Sequence, residues 1–262
     1  MDFTLSIERL QRADLDTVYA LLPDEPEMQG AVLWHFFTPY AHVLKATMDG
    51  EFAGYICAIV HGDTGWIREL FVNPLWMDLG VGKALTTAMV EWMEGQGTTG
   101  QLLIAREDTE GFWEKFGFEN DGALLRYEDG LFINASKDEV TNMEPEHMMA
   151  VLHMDRQASG EDRGELLREH SYLGSVYVEG SRVRGFSLPL LGHGLIVADS
   201  PEVGLELQRW LLPIQPYVIL PVGHLAAHAH MIQRKYVAEP AGTRMVRGER
   251  PAFKLQMFYA HP

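Results

Sequence analysis

The chain has 262 residues, 47% of them hydrophobic and 22% charged, with a formal net charge of −16. That length favours two domains over one core, and the acidity argues against nucleic acid and anionic membranes, which are bound through Lys and Arg. No apolar run approaches the roughly 18 residues that cross a bilayer, the start has no basic-then-apolar signal pattern, and the single cysteine, Cys57, admits no internal disulfide, so the expected compartment is the cytoplasm. An acidic field can collect a cationic substrate such as an amine, although acidity also serves solubility alone.

In chain order, Thr4–Leu10 reads as a strand, followed by a helix opening near Asp14 with Leu15, Val18, Tyr19 and Leu22 on one face and Pro23 as its stop. The acidic stretch Asp24–Glu27 reads as a loop, and a second helical patch, Ala31–Phe37, ends at Pro39. Two strand-like runs, His42–Met48 and Phe52–Val60, are joined by Asp49-Gly50, a hairpin signal. A turn over His61–Gly65 leads into a third strand, Trp66–Val72. Asn73-Pro74 breaks that strand, Gly80-Val81-Gly82 ends the loop, and a helix follows with Ala84, Leu85, Ala88, Met89 and Trp92 on one face. Leu102–Ala105 is a short strand, Phe112, Trp113 and Phe116 form one face of a brief helix, and a hairpin at Asp129-Gly130 closes the first domain. The order predicts an α+β fold, a helix docked on a largely antiparallel sheet.

Polar residues 135–143 form the expected linker, dividing the chain into domains 1–135 and 144–262. The second reads as a worn copy of the first. Val176–Phe186 repeats the strand, turn and strand around Asp49-Gly50; Leu195-Ile196-Val197 leads through Pro201 into a helix over Val203–Leu211; Tyr217–Val222 matches Leu102–Ala105; and Met231–Val237 matches Phe112–Phe118. The stretch from Val197 to Gly204 lacks any Gly-x-Gly pair, so this copy is not expected to hold a pyrophosphate.

The informative segment is Leu70 to Lys83. A strand ends, the chain turns through glycines, and a helix begins, which aims backbone N–H groups at one spot at the positive end of a helix. Three cofactor classes use such turns. A nucleoside triphosphate loop needs glycine at 77 and Ser or Thr after the lysine, where Met77 and Ala84 stand. A dinucleotide fingerprint needs a small residue at 85 and a parallel βαβ unit; Leu85 stands there, and the pattern shows no such unit.

The third class is an acyl-CoA site. Val72-Asn73-Pro74 with Gly80-Val81-Gly82, and Gly111 to Phe118, resemble the cofactor and pantetheine-arm motifs of the GNAT superfamily of N-acetyltransferases. The C-terminal part is similar to the GNAT-like domain of a group of tandem acetyltransferases, through Asp155-Arg156, Gly185-Phe186, Thr243-Arg244-Met245 and Arg247-Gly248. The resemblance implies two tandem GNAT-like domains, each a mainly antiparallel mixed sheet flanked by helices. It implies acetyl-CoA as co-substrate, no metal, a small amine or amino acid as acceptor, and a monomer or homodimer. The backbone of Leu70, Phe71 and Val72 would pair with the pantetheine amides, and amides from Asp78, Leu79, Gly80, Val81, Gly82 and Lys83 would take the pyrophosphate. Three positions depart from the family: Met77 replaces Gln or Arg beside the phosphates, Arg106 stands where an Asn often reaches the pantetheine, and Trp113 replaces a tyrosine near the sulfur.

The resemblance also implies direct attack of the amine on the thioester. A base or a water chain takes the ammonium proton, and the Val72 N–H meets the developing oxyanion. Glu69, on the strand that exposes the thioester, is the candidate base; its neighbour Arg68 faces the opposite way by strand alternation, so at most one of them points at the thioester. An indole donates only hydrogen bonds, so the acid is Tyr55, Tyr127 or none. His224, His228 and His230 cluster, but no third ligand of suitable geometry is evident, and a polar helix face is the expectation. The second copy is expected to wall the acceptor site or to hold a separate small ligand. A non-catalytic acyl-CoA sensor is the alternative reading.

Overall fold

The computed structural model describes residues 3–131, 135 and 139–262. The chain divides into two units, and both are discontinuous in sequence. One holds the chain up to Ile104 with Gly111–Glu119 and Val246–Arg250; the other holds Ala105–Glu110, Asn120–Met245 and Pro251–Pro262. Where the sequence pattern draws one boundary through 135–143, each unit thus takes short segments from both sides of it; of that expected linker, residues 136–138 lie outside the described residues.

In the first unit β1 (Leu5–Arg9) leads through a turn capped at Gln11 into α1 (Leu15–Leu21), which buries Leu15 and Val18. Next, α2 (Pro26–Phe37) begins earlier than expected, inside the acidic stretch read as a loop. The reason is local: proline at the first helical position loses no bond, and Glu27 in that first turn meets the positive end of the helix. β2 (Ala41–Met48), β3 (Glu51–His61) and β4 (Thr64–Val72) follow as an antiparallel meander. Its first turn is made by Asp49 (φ 51°) and Gly50 (φ 89°), both left-handed as a tight hairpin requires.

α3 (Val81–Gly95) buries Val81, Leu85, Thr86, Met89, Val90 and Met93, a stripe at helical spacing. The stripe is rotated from the predicted one, so Ala84, Ala88 and Trp92 lie at its half-buried margin. β5 (Gly100–Ala105) then pairs parallel to β4, and the short α4 (Glu110–Glu114) carries Trp113 inward. On the other face of β2 and β3, Leu10, Leu15, Val18, Leu22, Val32, Val43, Tyr55 and Cys57 form a core cluster joined by Phe52 and Phe71.

The second unit contains β6 (Glu119–Glu128), β7 (Val140–Asn142), α5 (Met148–Ser159), α6 (Gly164–Glu169), β8 (Ser175–Glu179), β9 (Arg182–Leu188) and β10 (Leu195–Ala198). α7 (Pro201–Leu211), β11 (Val218–Pro221), α8 (Leu225–Gln233), β12 (Val237–Gly248) and β13 (Phe258–Ala260) complete the chain, the last residues of β12 belonging to the first unit. Five strands form an antiparallel sheet in the order β13-β10-β9-β8-β7. Asp129 takes the left-handed conformation expected of a hairpin turn (φ 58°). β6, however, pairs antiparallel with β11 and also neighbours β12, and residues 132–134, where a returning strand was expected, lie outside the described residues.

The core of this unit gathers Ile196, Ala198, Val203, Leu207, Leu211, Val218, Leu220, Met231 and Tyr259. Helix and strand approach closely at Gly204, where a Cβ would come within 2.2 Å of the Tyr259 ring, so only glycine fits. The motif residue Asp155 is a structural group here: its buried carboxylate takes two bonds from the buried Arg163, at 2.8 Å each. Arg244 is also buried and paired with Asp121.

Candidate acyl-CoA site in the first unit

β3 and β4 do not keep one register. Ala58 faces Ile67 but Cys57 faces Glu69, leaving Arg68 as the extra residue of a β-bulge. Beyond it the ladder continues as Leu70↔Ile56, Phe71↔Tyr55 and Val72↔Gly54. On its other side β4 is paired with β5 only from Thr64↔Gly100 to Trp66↔Leu102. Among the described residues, therefore, the last stretch of β4 has an open edge.

The pairing decides which backbone groups line that edge. Asn73 donates its N–H to Ala53 O at 2.9 Å, so Val72 and Gly54 form a non-hydrogen-bonded pair. Alternation then turns the N–H and C=O of Leu70 and Val72 away from β3, and those of Phe71 toward it. Of the three candidate strand residues, Leu70 and Val72 present backbone groups to the open edge. Phe71 contributes a ring, stacked on Tyr55 at 5.4 Å. Leu70 and Val72 turn their side chains to the α3 face, where both lie near Gly82.

Glu69 projects to the opposite face. Its Oε2 accepts a hydrogen bond from the Tyr55 hydroxyl at 3.3 Å, and the tyrosine is wholly buried. Cys57, its register partner, is buried as well; burial first, and the Glu69 charge second, push its thiol well above the ordinary range. A thiol held protonated is a poor nucleophile, in line with its reading as a bystander.

Past Val72 the chain is fastened by Asn73, whose Oδ1 accepts from the Leu75 N–H at 3.1 Å and whose Nδ2 donates to Phe52 O at 3.3 Å. Asp78 (φ 62°) and Gly80 (φ 84°) are both left-handed, and Gly80 is the N-cap of α3. The first in-helix bond runs from Ala84 N to Gly80 O at 3.0 Å. The amides of Val81, Gly82 and Lys83 thus lie in the turn that has no acceptor within the helix. Around this rim Leu75, Met77 and Leu79 are 81%, 55% and 46% exposed. Met77 supplies no polar group there. α4 packs close by: the space a side chain at 82 would enter ends 3.7 Å away at the Phe112 ring. Trp113 turns inward, 8% exposed, edge-on to Phe112 and Phe118.

Arg247, far away in sequence, also belongs to this unit. Its Nε donates to Phe116 O at 3.0 Å and its Nη1 lies 2.7 Å from Glu94, tying the end of α4 to α3. Sequence reasoning assigned it to the second domain; its only signal was the Arg247-Gly248 motif, which says nothing of a partner.

The remaining candidates lie in the second unit. Arg106 is exposed at the start of a turn, where its carbonyl accepts from the hydroxyl and N–H of Thr109. Tyr127 is buried, its hydroxyl 2.7 Å from His228 Nδ1, and burial raises its pKa. His228 Nε2 donates to Pro221 O at 3.1 Å, which leaves Nδ1 as the acceptor for the tyrosine. His224 caps α8 by accepting from the Ala227 N–H, and His230 pairs with Gln208 at 2.8 Å. These histidines have structural partners, and no group of three or more metal-ligating side chains occurs among the described residues. Nor is any described helix long and apolar enough to cross a membrane.

Residues 7–118 match the acetyltransferase (GNAT) family. The whole chain shares its fold with a protein of Pyrococcus horikoshii assigned as an acetyltransferase, with a TM-score of 0.82 at 20% identity over 98% of this chain and 93% of that one. It is similar to a GCN5-related N-acetyltransferase from Sphaerobacter thermophilus, with a TM-score of 0.63 at 16% identity over 97% and 98% of the two chains. It also resembles the glucosamine N-acetyltransferase region of a fungal multi-domain β-N-acetylglucosaminidase, with a TM-score of 0.68 at 15% identity over 94% of this chain and 38% of that one. No curated protein matches the sequence. Residues 7–118 thus match the GNAT acetyltransferase family, and the whole chain has an α+β fold consistent with two GNAT-like domains.

Proposed function

We infer that the first unit binds an acyl-CoA, acetyl-CoA foremost, and passes the acyl group to the amine of a small molecule or amino acid. One observation carries the reading: the edge of β4 opens at Leu70–Val72 and runs directly to the open amides of α3, with Gly80 left-handed between them. A strand edge beside a helix N-terminus suits a ligand with an amide-bearing arm and a pyrophosphate. Leu70 and Val72 would hold the arm by backbone bonds, and the amides from Asp78 to Lys83 the phosphates.

Acetyl-CoA supplies an activated acyl carbon; the chain supplies position and proton management. The Val72 N–H, on the open edge, meets negative charge developing on the carbonyl oxygen. Glu69, a half-buried carboxylate oriented by Tyr55, takes the ammonium proton. The CoA thiol leaves as thiolate, so the departure of tyrosine at Trp113 is tolerable.

The test is release of free thiol from acetyl-CoA with a panel of amines and amino acids. Acceptor-dependent release above hydrolysis is expected, reduced about 10²- to 10⁴-fold in kcat by Glu69→Gln with little change in acetyl-CoA KM. Trp113, which cannot serve as an acid, favours a second reading, a non-catalytic acyl-CoA sensor. Acetyl-CoA binding with no acceptor in any class would favour that reading and overturn the first.

A further inference from the structure

α8 ends on an arginine. Arg234 is its C-cap, with its N–H bonded to His230 O at 3.3 Å and its carbonyl to the Leu131 N–H at 2.8 Å. Lys235 then turns the chain left-handed (φ 62°). An arginine in such a place ordinarily reaches water or the last carbonyls of its helix. Here the residue is only 7% exposed, and its Nη1 is buried with no hydrogen-bond partner among the described residues. α7 packs against α8, joined to it by the 2.8 Å bond between His230 Nδ1 and Gln208 Oε1. Next to Gln208 in the chain is Arg209. Its Nη1 lies 2.5 Å from the buried Glu206 carboxylate, while its Nε is buried and likewise without a partner among the described residues.

The charges around this bond do not balance. His230 adds none: Gln208 Nε2 donates to Tyr259 O at 2.6 Å, so Oε1 accepts from Nδ1, and burial first, then Arg234 and Arg209, bring the histidine pKa down to about 4. Burial, and after it the Arg209 charge, also lower the pKa of Arg234, against the opposing Glu206 and the phenol of the buried Tyr236. Two guanidinium groups therefore share one carboxylate, and that carboxylate is bonded to Arg209. A buried charge without a counter-charge is strongly destabilising. We propose that the second unit binds a small monovalent anion, of halide size, beside the Gln208–His230 bond, with Arg234 as its principal ligand and Arg209 as the second cation. The surplus is one charge, which asks for a monovalent ion. The burial of Arg234, His230 and Tyr236 asks for a compact one.

The experiment uses the full chain with simple salts. Crystals soaked in sodium bromide should show an anomalous peak within hydrogen-bond distance of Arg234 Nη1, absent from Arg234→Met. In solution, replacing sodium gluconate by sodium chloride at equal ionic strength should raise the melting temperature. The rise should be about 3–6 °C once chloride reaches tenfold its dissociation constant. Arg234→Met should lose that response. In gluconate it should melt above the unaltered chain, because a buried charge without a counter-ion is gone. If the carbonyl end of α8 alone balanced Arg234, the variant would instead melt lower in gluconate, and chloride would change neither protein. That result, no bromide at Nη1 in the unaltered chain, or an equal chloride response in the variant would overturn the proposal.

Discussion

Two glycines beside the candidate site are expected to behave differently on substitution by alanine. Gly80 needs a left-handed backbone (φ 84°), but its missing Cβ faces open space. Gly80→Ala should cost about 1 kcal/mol, the strain of a side chain in that conformation. At Gly54 the added Cβ would lie 2.4 Å from Phe71 O and 3.2 Å from Val72 Cα, so Gly54→Ala must push β4 away where its edge is used. Denaturant melts should show a loss of roughly 2 kcal/mol or more for it, together with weaker acetyl-CoA binding; equal effects at the two positions would contradict this geometry. Tyr55→Phe removes the hydroxyl from Glu69 and leaves the ring stack. Since a hydrogen bond to a carboxylate favours its charged form, the pH at which kcat/KM is half-maximal should move upward. One buried and one half-buried histidine, His35 and His42, set an acid limit to stability. Burial, and then the Arg68 charge, hold His35 down to about 4 against the opposing bond to Ala31 O; burial and Arg9 hold His42 to about 4. Both are depressed below the unfolded value, so the stabilisation is complete above about 6.5 and is lost as pH falls from there towards 4. For the almost wholly buried His35 this amounts to as much as ~3 kcal/mol. Melting temperature should fall across that window, and less steeply in His35→Leu.

At the scale of elements, what the sequence made legible was local. The hairpin at Asp49-Gly50, the strand broken by Asn73-Pro74 and the glycine-capped α3 all follow from backbone chemistry at a few adjacent residues. The bulge at Arg68 was not legible, because it arises from the pairing of β3 with β4 rather than from either strand alone. Strict alternation therefore fails at Arg68. For the same reason the Tyr55–Glu69 bond could not be read: fourteen residues separate its partners. The start of α2 was missed because acidic and proline residues, common in loops, are equally suited to a helical first turn. Arg247 gives an element-scale prediction. Its bonds to Phe116 O and Glu94 fix α4 against α3, so Arg247→Ala should cost about 1 kcal/mol and weaken acetyl-CoA binding several-fold. Glu249 extends the attachment, its N–H donating to Thr99 O at 2.8 Å.

For the molecule as a whole, composition and order of elements were enough to reach an α+β fold in two parts. The division of the chain was harder, since short segments from far apart in sequence belong to one unit. No residue type announces that Val246–Arg250 completes the first unit rather than the second. The acyl-CoA reading rests on that first unit, and calorimetric titration of acetyl-CoA into the full chain, beside a Gly80→Asp, Gly82→Asp variant, tests it most directly. A carboxylate at 80 and another at 82 would occupy and repel at the α3 amides. Saturable binding near one site per chain, abolished in the folded variant, is the expected result. Binding that persists in the variant, or none in the unaltered chain, would contradict the account.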